Sequence, residues 1–261
     1  MLPPPIANHT PKTVPKPGEV RPVAGPARVE WRAAAMIVPI QLKISNAFLV
    51  KGDPPVLVDT GSPNEAARIA RALEQEGVRP GDLALVLHTH GHSDHCGSTW
   101  ELKQGQGRIL AAIHPLDAEM MRQGRNGTLK PTRLMGSLLL PFVNVPFPGV
   151  EPDLLIDEGF ALREYGLKGK IVATPGHTAG SISIVFDDGQ AIVGDLIMGG
   201  YLGGKFLPRL PDYHYFADDL TLVQQSVKKL VDLGVERFYV GHGGPLDYRD
   251  VIKRFSRDIR F

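Results

Sequence analysis

From residue 29 to the C-terminus, short β-rich apolar runs alternate with stretches of helical period. "AAMIVPIQLKISNAFLVKG" reads as two strands broken near Pro39 or at Ser45 and Asn46, and "VLVDTG" (56–61) as a buried strand running into a turn. The helix that follows is marked at both ends. Ser62 can cap it, Pro63 suits its first turn, Glu65 completes a capping box and Gly77 stops it. Ala66, Ile69, Ala70 and Leu73 give it one apolar face. "LALVLHT" (83–89) is a further strand, which carries a histidine-rich loop at its end. "RILAAIH" (108–114) is another, and "PLDAEMMRQG" a helix opening on Pro115. Strand patterns return in "KIVATPG", "SISIVFDDG" and "QAIVGD", the last two as a hairpin about residues 187–189. "DDLTLVQQSVKKLVDLG" (218–234) is a helix with Leu220, Val223, Val227, Leu230 and Val231 on one face, and "RFYVGHGG" a strand ending in a glycine-rich turn. This order predicts an α/β fold with helices covering mixed sheets, and no boundary divides residues 29–261, which read as one domain.

Two segments stand outside the pattern. Residues 124–150, "GRNGTLKPTRLMGSLLLPFVNVPFPGV", follow no single period and are rich in Leu, Met, Phe, Pro and Gly. They read as an irregular segment on the core, a lid-like apolar wall beside a site, or a contact in a homodimer. Residues 1–28 form a Pro-rich arm, with eight prolines in the first 26 positions. Proline disfavours helix there, so an extended arm is expected, with contact to a second subunit as the alternative. His9 lies in the arm as a bystander. The arm lacks the charged start and apolar run of a secretory signal, and no segment reaches the roughly 20 apolar residues of a membrane span.

Charge and cysteine usage narrow the partners. A formal net charge of +1 argues against a partner held by field alone, such as duplex nucleic acid. The single cysteine, Cys96, forms no internal disulfide, and a cytoplasmic protein acting on a small molecule is expected.

The chemistry lies in "LVLHTHGHSDHCGS" (85–98), which holds four of the nine histidines: His88, His90, His92 and His95, with Asp94 among them. Neutral imidazole and carboxylate suit zinc, iron and manganese. Gly91 allows a tight turn between His90 and His92, so both rings can face one ion, while Asp94 and His95 can aim at a second position. Three later strand ends each deliver a ligand-type side chain beside glycine: His177 in "TPGHTAGS", Asp195 in "IVGD" and His242 in "YVGHGG".

The string "THGHSDHCG" resembles the H-x-H-x-D-H signature of the metallo-β-lactamase superfamily. "VDTG" (58–61), "PGHTAGS" (175–181), "VGD" (193–195) and "GHGGP" (241–245) are similar to its other blocks, in the same order. The resemblance implies an αββα sandwich of two mixed β-sheets flanked by helices, with a dinuclear metal centre at one edge. It implies that His90, His92 and His177 hold one ion, that Asp94, His95 and His242 hold the second, and that Asp195 bridges them. Asp59 would organise the ligand loops. The implied cofactors are two divalent ions, zinc first, with iron or manganese as alternatives.

Two such ions, about 3.5–4 Å apart, can share a hydroxide, because metal binding lowers the water pKa from 15.7 to about 7. The expected reaction is hydrolysis of an ester, thioester or lactone with an apolar part, with Asp94 relaying a proton to the leaving group. Departures from the superfamily's branches guide this choice. Asp195 stands where the true β-lactamases place serine or cysteine. The chain ends 19 residues after His242, without the helical C-terminal region of glyoxalase II enzymes. Met198 occupies the position where quorum-quenching lactonases often carry tyrosine, and no basic arm resembles that of the nucleases that process transfer RNA. The rivals are a mononuclear iron persulfide dioxygenase-like enzyme and a β-lactam or phosphodiester hydrolase. His88 falls outside the H-x-H-x-D-H register, within the apolar strand run, which suits packing or support of a ligand. Cys96 is expected as a small buried residue and His114 as structural. His214, in "LPDYHYFADD", is an outside candidate for touching substrate.

Overall fold

Neighbouring residues of one strand enter different apolar clusters, and this alternation builds the layers. The computed structural model describes residues 35–105 and 109–261, so the Pro-rich arm lies outside the described residues. Six strands, β1 (Met36–Gln41), β2 (Asn46–Lys51), β3 (Val56–Val58), β4 (Leu85–Leu87), β5 (Leu110–Ile113) and β6 (Leu154–Leu155), form one sheet in chain order. Its first two pairings are antiparallel and its last three parallel. The second sheet begins with β7 (Gly169–Ala173), β8 (Ile182–Phe186) and β9 (Gln190–Gly194). The chain then makes a separate antiparallel hairpin of β10 (Met198–Tyr201) and β11 (Phe206–Asp212). It returns as β12 (Arg237–Val240) and β13 (Leu246–Asp247), giving the order β13-β12-β9-β8-β7 with only β9 and β12 parallel.

Successive strand residues point to opposite faces, so Val56 and Val58 pack with Phe48, Leu85, Ile184 and Ile192 between the sheets. Leu57, between the two valines, points the other way, toward Leu49, Val86, Ile69 and Leu73. Ile69 and Leu73 belong to α1 (Ala66–Gln75). In the second sheet Val172, Val185 and Val193 turn outward onto Val223, Val227, Leu230, Val251 and Phe255. The result is an αββα sandwich of two mixed sheets. Because both faces of each sheet are covered, short strands such as β3 and β4 are apolar throughout rather than alternating.

The remaining helices are α2 (Ser93–Cys96), α3 (Thr99–Gly105), α4 (Ala118–Gln123), α5 (Leu134–Val143), α6 (Leu220–Asp232) and α7 (Tyr248–Phe255). Of the two breaks open for the first strand pair, the one at Ser45 and Asn46 holds. Pro39 stays inside β1 opposite Phe48, as an edge strand permits. α1 starts later than the Ser62 cap predicts, because Asn64 takes φ 67 and delays the helical backbone to Ala66. Glu65 still accepts from the Ser62 N–H at 2.9 Å, which is half of the expected capping box. The 124–150 segment is not wholly irregular, since it contains α5, a helix with Pro141 inside it and apolar residues around its whole circumference. Asp212 ties α5, β11 and α7 together, its two oxygens accepting from Arg133 Nη1 and Arg254 Nη2, each at 2.6 Å. Among the described residues no helix is long and apolar enough to cross a membrane.

The Leu57 side chain is fully buried while that of Leu116 is exposed. Leu57→Ala should therefore cost about 2–5 kcal/mol and Leu116→Ala less than about 0.5 kcal/mol. Chemical denaturation of the metal-loaded protein measures both.

Candidate metal centre

Hydrogen bonds between the two sheets bring their strand ends to one place. Beyond β4, the Thr89 carbonyl accepts from Ile182 N of the second sheet at 2.9 Å, and beyond β12 the Gly241 carbonyl accepts from Asn46 N of the first at 2.7 Å. Gly241 N in turn donates to the Gly194 carbonyl at 2.8 Å. The loops leaving these strands therefore converge, and they carry the seven side chains singled out by their spacing.

His90, His92 and His177 form one group. Their ring centroids lie 4.6–4.8 Å apart, and His92 Nδ1 is 2.9 Å from His177 Nε2. Two nitrogens on one tetrahedral zinc, each about 2.0–2.1 Å from it, sit about 3.3 Å apart, so this spacing is near that of a shared ion. Asp94, His95 and His242 form the second group, with Asp94 Oδ2 3.3 Å from His242 Nε2 and 3.9 Å from His95 Nε2. A single oxygen, Asp195 Oδ2, faces both groups. It lies 3.2 Å from His242 Nε2, 3.4 Å from His95 Nε2, 3.6 Å from His177 Nε2 and 3.9 Å from His90 Nε2.

Four of the rings are held by their other nitrogen. His95 Nδ1 donates to Asp59 Oδ2 at 2.8 Å, His177 Nδ1 to the Phe216 carbonyl at 2.8 Å, and His242 Nδ1 to the Ile44 carbonyl at 2.6 Å. His90 Nδ1 donates to Thr89 Oγ1 at 3.1 Å, whose own hydroxyl donates to Asp59 Oδ2 at 2.8 Å. Each bond turns Nε2 inward, where it can ligate an ion once any proton on it is displaced. Asp59 itself has φ 62, a left-handed backbone that aspartate tolerates, and its Oδ1 accepts from Thr89 N at 2.8 Å.

The inward-facing atoms fit a metal. His90 Nε2, His95 Nε2 and Asp195 Oδ1 are buried without a hydrogen-bond partner, which is costly for atoms that face nothing but one another. Burial pushes His90, His92 and His177 below the usual imidazole value. Burial also opposes charge on His95 and His242, but Asp195 and its neighbouring carboxylates outweigh it, so His95 is raised and His242 reaches about 10. For Asp94 and Asp195 the surrounding imidazoles overcome burial and hold both below the usual carboxylate range. Imidazole and carboxylate together suit zinc, iron or manganese.

Four of the donors, His92, Asp94, Asp195 and His242, line a cavity of about 270 Å³, with Leu129, Leu139, Val143 and Met198 in its wall. The larger groove between β11 and α7, about 830 Å³, carries none of the clustered donors. His214 enters the cavity beside the donors, its ring 4.7 Å from that of His177 and 5.1 Å from that of His242. Burial lowers its pKa to about 3. His88 stays outside the cluster. Its Nε2 meets Thr99 Oγ1 at 3.1 Å, its Nδ1 is 3.9 Å from Asp59 Oδ1, and burial lowers its pKa to about 4. Cys96 is buried, with Sγ 3.3 Å from the His90 carbonyl, and burial pushes its thiol well up. His114 accepts the Leu116 N–H at the approach to α4.

Three supporting residues carry no local signal in the sequence. Asp117 is buried, accepting from Gly91 N at 2.9 Å, Gly180 N at 2.8 Å and Thr178 Oγ1 at 2.7 Å, and so it clamps the His90–His92 loop to the His177 loop. Asn126 accepts the Ser93 N–H at 2.7 Å. Thr89 links His90 to Asp59, as described. A lone acid before a helix reads as a cap, so only the fold reveals the part Asp117 plays.

Known proteins agree with this geometry. The family model of the metallo-beta-lactamase superfamily matches residues 40–242. A probable metallo-hydrolase of Methanocaldococcus jannaschii is 27% identical over 200 residues, which are 76% of this chain and 87% of that one. A hydroxyacylglutathione hydrolase of Rhodopseudomonas palustris is 32% identical over 128 residues, which are 49% of this chain and 38% of that enzyme. Among solved structures, the B3 metallo-beta-lactamase BLEG-1 superposes with a TM-score of 0.61 at 21% identity, covering 84% of this chain and 97% of that one, a likeness of fold. A match running from the end of β1 through His242 takes in strands of both sheets, β13 excepted, and every clustered donor, and the chain belongs to the metallo-beta-lactamase superfamily.

Proposed function

We propose that this protein is a dinuclear metal-dependent hydrolase of esters, thioesters or lactones with an apolar acyl part. His90, His92 and His177 would hold one ion and Asp94, His95 and His242 the other, with Asp195 Oδ2 facing both groups. The observation that carries this reading is the convergence of seven donors, four of which line a cavity whose wall is apolar. When bound, two divalent ions supply a nucleophile from water at neutral pH and a positive field for a developing oxyanion. The protein's own groups do the rest. Asp94 Oδ2 turns to the ring nitrogens, leaving Oδ1 to hold a proton and pass it to the leaving group. Leu129, Leu139 and Val143 exclude water from the acyl chain and seat it. The buried Cys96, without a disulfide partner, agrees with a cytoplasmic placement.

The zinc-loaded protein should hold about two ions per chain and hydrolyse acyl esters. Its KM should fall about fourfold for each methylene added until the cavity is full, following about 0.8 kcal/mol per buried CH₂. Metal analysis together with an ester, lactone, β-lactam and phosphodiester panel tests this. One iron per chain with oxygen consumption would instead support the dioxygenase, and faster cleavage of phosphodiesters or β-lactams would overturn the acyl reading.

His92→Ala should lose at least one of the two ions, whereas His88→Ala should keep most of both, because the His88 ring nitrogens face Thr99 and Asp59 rather than the cluster. Metal content after dialysis separates the two variants.

The two ions should differ in their proton release. At pH 7, His95 and His242 carry protons that a metal must displace, whereas His90, His92 and His177 do not. Affinity for the second ion should therefore fall more steeply as pH drops, by about tenfold per unit for each displaced proton. Calorimetric titration in buffers of different ionisation enthalpy measures this, and equal release at both sites would overturn the assignment.

A further inference from the structure

We infer that the rim of the donor-lined cavity is a docking surface for an anionic lipid bilayer, with α5 and the turn after β10 as the parts that insert. The surface goes beyond the reading given above and does not depend on the reaction performed behind it.

Three segments meet at the cavity mouth, residues 42–46, 124–150 and 196–206. Ile44 of the first, Leu129, Leu139 and Val143 of the second and Leu202 of the third all line it. Twenty large apolar side chains stand exposed among the described residues, and nine of them lie on these segments: one, five and three respectively. Single exposed apolar residues are normal, but so large a share beside one opening marks a surface that meets something apolar.

The layout of the patch follows from α5. On a helix, positions four apart form one row. Leu139 and Val143 belong to the row that faces the cavity. Leu134, Leu138 and Phe142 form the adjacent row and are 77%, 60% and 77% exposed. No residue of α5 is charged. Across the mouth, Ile44 and Leu202 line the cavity and are themselves 39% and 64% exposed. A Cβ at Gly203 would come within 2.9 Å of the Ile44 carbonyl, so these two loops form one continuous edge. The exposed side chains protrude rather than line a groove, which suits insertion among acyl chains better than the seating of a peptide.

Charge selects the kind of surface. The three segments carry Lys43, Arg125, Lys130, Arg133 and Lys205 and no aspartate or glutamate, in a chain whose formal net charge is only +1. Asp218 lies 3.3 Å from Lys130, and Asp212 accepts from Arg133 at 2.6 Å. Lys43, Arg125 and Lys205 are exposed and pair with no acid among the described residues. Apolar side chains ringed by lysine and arginine complement an anionic headgroup layer over an apolar interior. A second copy of this chain fits less well, since a two-fold contact would set the same cations against one another with no acid between them. Residues 1–34, with five Lys or Arg and two Glu, carry the same sign.

The cavity then opens toward the bilayer, so an acyl chain leaves lipid and reaches the donors without crossing water. That consequence rests on the acyl-hydrolase reading, whereas the docking surface does not.

The test is flotation of the zinc-loaded full chain with phosphatidylcholine vesicles, either pure or with one-third phosphatidylglycerol. No ester is added, so the result is separate from the acyl reading. Binding to the anionic vesicles should be at least about tenfold tighter than to the neutral ones and should weaken as salt rises. Leu138→Ser with Phe142→Ser should weaken it at least about tenfold, and Lys43→Gln or Arg125→Gln about fivefold each. Leu233→Ser, which removes an exposed leucine just past α6 and off the patch, should change nothing. Zinc content and thermal midpoint, unchanged in every variant, show that the fold is intact. No binding to anionic vesicles, equal binding to neutral ones, or binding indifferent to the α5 pair overturns the inference. A vesicle-free dimer that the α5 pair dissociates, seen by analytical ultracentrifugation, also overturns it and gives the face to a second copy.

Discussion

Five imidazoles and two carboxylates buried together are stable only if their outward atoms are satisfied, and the Asp59 carboxylate meets that requirement for one ring of each donor group. One of its oxygens receives both His95 Nδ1 and the Thr89 hydroxyl, and the other receives Thr89 N. Through Thr89 the same carboxylate orients His90. His90 belongs to one donor group and His95 to the other, so one anion aligns a ring in each. The left-handed backbone at Asp59 is the local cost of turning β3 toward the cluster, and the three hydrogen bonds offset it. An asparagine of the same shape would set its NH₂ group against a donor on one side, so it would lose part of this bonding as well as the charge.

The sandwich supports this arrangement by bringing backbone very close to the donors. A Cβ at Gly241 would lie 2.0 Å from Asp195 Oδ1 and 2.7 Å from His95 Cε1, so any side chain there would displace a donor from each sheet. A Cβ at Gly180 would similarly meet Asp117 Oδ1 at 2.5 Å, where that carboxylate joins the His92 and His177 loops. Glycine beside each donor is therefore a packing requirement, and it explains why a glycine accompanies the ligand-type residues at each strand end.

This requirement also decides what was legible in the chain. Strand ends with glycine and a ligand-type side chain are local patterns, so the seven donors and most strands could be read from spacing, whereas the αββα order came from the resemblance to the metallo-β-lactamase superfamily. The structure brings those seven side chains into one cluster, and His88 lies outside it as the register required. The parts played by Asp117 and Asn126 depend on partners 26 or more positions away, and no periodicity carries such information. α5 was hidden because its residues are apolar on every side and Pro141 interrupts the pattern. β11 was hidden because five of its seven residues are exposed and two are proline, so it lacks the alternation of a half-buried strand.

The cavity wall and the catalytic floor are joined at a single loop, and this limits how substrate preference can change. Phe216 packs with Met198, Leu139 and Val143 in the wall while its carbonyl holds His177 and its N–H holds His214. The loop is laced to the approach to α5 by Thr132 N to the Tyr215 carbonyl and Ala217 N to the Lys130 carbonyl. A change at Phe216 that shifts its backbone therefore disturbs the cavity wall and two imidazoles together. Leu139 and Val143 touch the same cavity from α5, and their side chains orient no donor. The fold thus separates residues whose size shapes the cavity from residues that cannot vary without moving the clustered donors, and α5 is the element on which the cavity's shape is free to change.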